Sequence, residues 1–457
     1  MSILSILEPA SATTARPAVT RQVTGTIPST VGSDLLVPLA DGRVTDYANF
    51  DHGASAPCLE SVRASVEAAL PTYASVHRGN GYASRITTQW YERARAEVHA
   101  FVGARPTDQV IFTRQTTDAL NLLAHAVPQD ATVIVFESEH HAALLPWAAE
   151  RTVRLKAPAS AAEAVTNVAD ALRQAPEGPR LVVVTGASNV TGEIFPIAEI
   201  AKVAKAHGAR VCLDAAQLAP HRPVDITLLD VDWVAVSGHK LYAPYGAGAL
   251  IGRSDWLDAA DPYLYGGGAT HAVTSDTVVW TTGPARHEGG SPNVIGAIAL
   301  ASACATISKH RDAIEQHERS LLARLRTGLA QIDGVTTYSI FGEDADRVGT
   351  VCFTVKGLTS TLVSAALSAE YGIGVRDGKF CAHLLVGHLL TSGNSGNEHG
   401  TAVRASLGLG TTREHVDRLV NAVRTLATTG PRTEYAETAH GCQPADDPRD
   451  LQAPRIW

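Results

Sequence analysis

The stretch Val236-Ser237-Gly238-His239-Lys240 closes an apolar run, Trp233-Val234-Ala235-Val236, and leads into the Gly-rich Tyr245-Gly246-Ala247-Gly248. A short run of β-branched and aromatic residues bounded by polar ones reads as a buried strand. Similar runs precede it at Val110-Ile111-Phe112, Thr132-Val133-Ile134-Val135-Phe136, Leu181-Val182-Val183-Val184 and Val211-Cys212-Leu213. Between the last two, residues 196–208 read as a helix opened by Pro196 and closed by Gly208. Strand, helix and strand in repetition predict an α/β unit with a mostly parallel sheet.

Outward from this unit the texture changes. Residues 1–45 are rich in Ser, Thr, Pro and Ala and predict a loosely packed extension. Residues 46–305 form the predicted large domain, and 306–430 a smaller α+β domain. The latter holds a charged helix over 306–331 and a strand over 350–355. A capping box Thr411-Thr412-Arg413-Glu414 stands before a helix whose Val416, Leu419, Val420, Val423 and Leu426 share one face. Residues 431–457 are a polar tail without a fold signal.

The chain has 457 residues, 45% of them apolar and 18% charged, the balance of a soluble globular protein. A net charge of −8 argues against a nucleic-acid or membrane-surface partner. No apolar run reaches the roughly 18–20 residues of a spanning helix, and no secretory signal is visible. Six cysteines without a CxxC pair predict reduced thiols in the cytoplasm, with no metal site.

Lys240 sits at a predicted strand end beside Ser237 and His239. An amine held rigidly and partly desolvated is nucleophilic towards a cofactor aldehyde, and its two neighbours can hydrogen-bond a phosphate. Asp214 follows another buried strand and can keep a pyridine nitrogen protonated, while Gln217 can reach a ring oxygen. Together these residues predict pyridoxal phosphate (PLP). Thr116-Thr117 opens a helix, and free N–H groups there suit a phosphate. His140 can stack on a pyridine ring and move protons. Asn189 can reach a substrate carboxylate or the ring oxygen. Each has a plainer reading alone: a surface lysine, an Asp or Thr helix cap, a surface histidine, an Asn in a turn. Their joint occurrence favours the cofactor site.

Taken together, these stretches resemble the class V, aspartate-aminotransferase-like PLP enzymes, most of all the group II cysteine desulfurases and selenocysteine lyases. Tyr47-Ala48-Asn49-Phe50-Asp51-His52-Gly53-Ala54-Ser55 is similar to that family's "YLDHAAT", and Val76-His77-Arg78-Gly79 to its "VHRG". The segment 286–293 is similar to "FEAGTPN", 375–383 to "VRxGHHCA" and 403–407 to "RASL". The resemblance implies PLP-dependent transferase fold type I, with a large domain around a mostly parallel central sheet and a smaller α+β C-terminal domain. It implies that Lys240 is the Schiff-base lysine, Asp214 pairs the pyridine nitrogen and Gln217 the 3′-oxygen. Thr117, Ser237 and His239, at the Thr116-Thr117 helix start, hold the phosphate, and His140 stacks on the ring. Asn189 and Arg404 receive the substrate carboxylate, and Cys381 takes the sulfur as a persulfide. Ser291 replaces a Thr that reaches the phosphate of the partner subunit, which implies a homodimer with shared active sites. The implied reaction converts L-cysteine or selenocysteine to alanine and passes the sulfur to an acceptor protein.

Some positions depart from the family. Lys379-Phe380 replace its paired histidines, Gln115 and Ala215 replace glycines, and residues 391–400 form a polar insertion. They keep a second reading open: a class V aminotransferase, C–S lyase or epimerase acting on another amino acid.

Overall fold

The computed structural model describes residues 26–392, 400–438 and 441–457. Its centre is a seven-stranded sheet among the described residues: β1 (Gln109–Thr113), β2 (Thr132–Phe136), β3 (Thr152–Leu155), β4 (Arg180–Thr185), β5 (Arg210–Asp214), β6 (Trp233–Ser237) and β7 (Gly248–Gly252). Their order across the sheet is β1-β7-β6-β5-β4-β2-β3. Strands β2 to β6 pair in parallel, and β7 runs antiparallel between β6 and β1.

Both faces of this sheet are covered, which is why its strands are unbroken apolar runs. Ile134, Val182, Val184, Val211, Leu213 and Val234 enter one core. The alternate residues Val133, Val135, Leu181, Val183, Cys212 and Trp233 enter another. Strand β7 escapes a sequence reading because glycines bracket it. Gly248 is required there: a Cβ would meet Val236 O at 2.5 Å and Gln115 Cα at 2.7 Å.

Helix α1 (Thr116–Ala126) follows β1 directly. Helix α2 (Val294–Ala330) runs for 37 residues. Its first half packs Leu300, Ala303 and Cys304 into the large core, and its second half packs Leu321, Leu325 and Leu329 into the smaller one. The sequence places its start near 306; the true start is Val294. Residues 294–305 are apolar nearly all round, so they lack the one-sided pattern of an amphipathic helix.

The smaller sheet holds β8 (Val335–Tyr338), β9 (Thr350–Val355), β10 (Arg376–Gly378) and β11 (Ala402–Ser406), all antiparallel in the order β8-β9-β11-β10. Helices α3 (Ser360–Tyr371), α4 (His383–Ser392) and α5 (Arg413–Thr429) belong to this half of the chain. The α5 cap lies one residue beyond the predicted box: Thr412 is the N-cap and His415 closes it. Thr411 is already engaged, because its Oγ1 accepts Gly408 N–H at 3.0 Å, and His415 Nε2 also pairs with Asp46 at 2.8 Å.

Both extensions touch α3. Ala40 N–H donates to Ala369 O at 2.8 Å. In the tail, Glu370 Oε1 accepts from Arg432 N at 2.9 Å and from Tyr435 Oη at 3.1 Å. Each extension also forms a short antiparallel strand pair, 36–38 with 44–46 and 435–438 with 441–444; strands of three or four residues leave too little alternation to read from sequence. Residues 1–25 and 393–399, the latter most of the predicted insertion, lie outside the described residues. Among the described residues no helix is long and apolar enough to cross a membrane.

Candidate active site

The carboxyl ends of β4, β5 and β6, the start of α1 and the smaller sheet enclose a cavity of about 320 Å³. Lys240, Asp214, Gln217, Asn189 and His140 line it, as do Thr116, Thr117, Ser237 and His239. Cys381 and Arg404 reach it from the smaller half. The one expected residue elsewhere is Ser291, which lines separate depressions with Arg78 and Glu288.

Each side chain is placed by the element that carries it. Asp214 ends β5 and is buried; its Oδ1 accepts Ala216 N–H at 2.9 Å. Burial raises its pKa, and the Ala216 N–H and the nearby Lys240 charge oppose the rise. Lys240 follows β6, and its ammonium makes no hydrogen bond or ion pair among the described residues. Burial pulls its pKa down to about 8, helped by Arg404 and opposed by Asp214 and Cys381. An amine so placed is neutral far more often than a solvated lysine.

At the other end of the cavity Thr116 is locked to Ser237. Ser237 Oγ donates to Thr116 Oγ1 and accepts Thr116 N–H, both at 2.8 Å. Thr117 is exposed at the start of α1, facing the same space as His239. Free N–H groups at a helix start form an anion site. Gln217 Nε2 donates to Gly53 O at 2.7 Å.

His140 caps its own short helix, its Nδ1 accepting Ala142 N–H at 3.0 Å. Burial, with Lys240 and His141 nearby, lowers its pKa to about 3, so the ring is neutral at ordinary pH. Next to it in sequence is Glu139, fully buried, whose Oε1 accepts Thr185 N–H at 3.0 Å while its Oε2 has no partner among the described residues. Burial pushes its pKa well up, with the Asp214 charge adding to the rise and the Thr185 N–H opposing it. The sequence reading assigned Glu139 no role; its position just before His140 was the available signal.

Arg404 is buried and supported on two sides. Its Nη1 donates to Asn189 O at 3.0 Å, and its Nη2 lies 3.2 Å from Asp51 Oδ1. Its Nε is sealed from solvent and has no partner among the described residues. Asn189 turns its amide the other way, to Phe380 O at 2.8 Å. Asp51 and Phe380 were within the motifs quoted above, but a motif does not say which neighbours an arginine has. Cys381 is exposed at the cavity mouth, and the left-handed backbone of Phe380 and Cys381 (φ 53° and 52°) aims this loop.

The class-V aminotransferase family model matches residues 48–419, and the chain belongs to that family. It is 36% identical over 363 residues to a cysteine desulfurase of Dickeya dadantii, covering 77% of this chain and 84% of that one. The apo structure of a cysteine desulfurase from Thermococcus onnurineus NA1 is similar with a TM-score of 0.75 at 30% identity, covering 83% of this chain and 94% of that one. The cysteine desulfurase CsdA of Escherichia coli, in an S-sulfonic acid form, is similar with a TM-score of 0.69 at 32% identity, covering 82% and 94%.

Proposed function

We propose that this chain is a PLP-dependent cysteine desulfurase that converts L-cysteine, or selenocysteine, to alanine with transfer of the sulfur or selenium to Cys381. One observation carries this reading: a lysine with a depressed pKa, a buried aspartate, a buried arginine and an exposed cysteine line a single cavity.

The residues present fit the cofactor. Asp214 offers a buried carboxylate for a pyridinium, and the α1 start with Thr117, Ser237 and His239 offers an anion cradle. The Lys240 amine, without a hydrogen-bond partner among the described residues, lines the same cavity. Bound PLP supplies an electron sink for negative charge developing on the substrate. With the cofactor bound, Asp214 would hold its pyridine nitrogen protonated, Gln217 would reach the 3′-oxygen, and His140 would stack on the ring as a neutral imidazole.

Arg404, which lines the cavity, takes the substrate carboxylate, and Asn189 borders the same place. Lys240, whose lowered pKa gives it a larger neutral fraction than a solvated lysine, removes the proton from the substrate α-carbon. The Cys381 thiolate then forms a bond to the substrate sulfur. The substrate Cβ–S bond breaks with its electron pair left on Cβ, and a proton delivered there completes alanine. The persulfide on the exposed Cys381 is open to an acceptor protein. Six free thiols suit a reducing cytoplasm. Ser291 outside its own cavity, near the exposed Leu264 and Tyr265, suits a homodimer in which it completes the partner's phosphate site.

The test is incubation of purified protein with L-cysteine and PLP, with alanine and sulfide assayed together. Equal amounts of both support the reading; a keto acid or an inverted amino acid as product overturns it.

A further inference from the structure

Phe380 stands where three features of the site meet. Its ring packs against Arg404, with the guanidinium carbon 5.3 Å from the ring centroid. Its carbonyl accepts the Asn189 amide at 2.8 Å. Its backbone is left-handed, as is that of Cys381 after it. The side chain is 8% exposed and part of the large core cluster.

Left-handed φ is uncommon in non-glycine residues and an outlier for bulky ones. Two in succession persist only where the surroundings hold them. Here they do so from both sides. Asn189 holds Phe380 O, and His141 N–H holds Cys381 O at 2.8 Å. Ala382 N–H closes the turn onto Lys379 O at 2.9 Å. The side chain is what joins this turn to Arg404, since a cation over an aromatic face is attracted to it.

We propose that Phe380 is a positioning residue that holds the Cys381 thiol at a set distance from the Arg404–Asn189 pair. A substrate carboxylate at Arg404 is then bound at the spacing from which its sulfur meets Cys381. The inference rests on the desulfurase reading and deepens it. It concerns the side chain at 380, where the resemblance leads one to expect histidine.

The test separates sulfur attack from the proton chemistry before it. Persulfide formation on Cys381 is followed by mass in a single turnover with L-cysteine. Exchange of the L-alanine α-proton in D₂O, at saturating alanine, reports Lys240 and Arg404 without the thiol. Phe380→Ala slows persulfide formation by about tenfold or more, as expected for a displaced reacting group. It leaves α-proton exchange within about twofold. Peptide-level hydrogen exchange over 138–143 rises, because the His141 amide loses its fixed acceptor. Phe380→Tyr, which keeps the ring, restores all three readouts. An equal fall in both reactions, an unchanged rate of persulfide formation, or unchanged protection over 138–143 overturns the proposal. A wild-type protein that makes no alanine from L-cysteine overturns the functional reading and this proposal with it; an active wild type matched by Phe380→Ala overturns this proposal alone.

Discussion

Asp51 holds Arg404 in place: Oδ1 of the carboxylate lies 3.2 Å from Nη2 of a guanidinium that is nearly sealed from solvent. Burial lowers the Arg404 pKa, the Arg376 charge adds to that, and Asp51 opposes both. Arg404 is buried while Asp51 is partly exposed, and removing Asp51 leaves a buried charge with less compensation. Asp51→Ala is therefore expected to lose about 3 kcal/mol of stability, measured by urea unfolding. An unchanged midpoint shows that Asn189 O alone suffices for Arg404.

Arg404→Lys keeps the charge and loses the planar fork. It is expected to raise KM for L-cysteine by about tenfold to a hundredfold, the value of a lost charge-assisted hydrogen bond. Steady-state kinetics checks this, and a KM equal to that of the wild type removes Arg404 from substrate binding.

Lys240 sets a pH dependence. An amine attacks an aldehyde only when neutral, and the depressed pKa puts that change near 8. The rate of PLP uptake by the apo protein is expected to rise with pH through about 8 and level off above it. A solvated lysine would still be rising past pH 10. Absorbance of the bound cofactor follows the rate, and Lys240→Ala should show no borohydride-stable linkage.

His140 titrates near 3 and is neutral above it. The pH profile of the reaction is expected to carry no limb near 6.5 from this ring. NMR titration of labelled histidine checks the assignment, and a His140 resonance shifting between pH 6 and 7 contradicts it.

Burial pushes the Glu139 pKa well above the usual carboxylate value. Replacing it with the neutral Gln is expected to cost less than about 1 kcal/mol, because Gln keeps the acceptor for Thr185 N–H. Glu139→Ala leaves that N–H without a partner and is expected to cost about 2 kcal/mol. Thermal unfolding of the two variants distinguishes them, and a large loss in Glu139→Gln shows a charged carboxylate.

Much of this architecture was legible before any coordinates. The runs at 132–136 and 350–355 are strands with those bounds, because strands buried on both faces are continuous apolar segments. The residues expected to gather around Lys240 within this chain line its cavity; Ser291, expected at the partner subunit's phosphate, lies outside it. The strand over 248–252 and the first turns of α2 were not legible. A glycine kept for backbone contact looks like a turn, and a helix buried all round has no apolar face to detect.

The order of residues along the chain determined the α/β alternation, the strand-end placement of Lys240 and Asp214, and the family's segments around them. Local pattern suffices for these, because each depends on residues within one strand or turn. Only the tertiary structure decided that Asn189 faces Phe380, that Asp51 supports Arg404, and that the Lys240 pKa falls near 8. These depend on contacts between residues as far apart as Asp51 and Arg404, and on burial that no single segment creates.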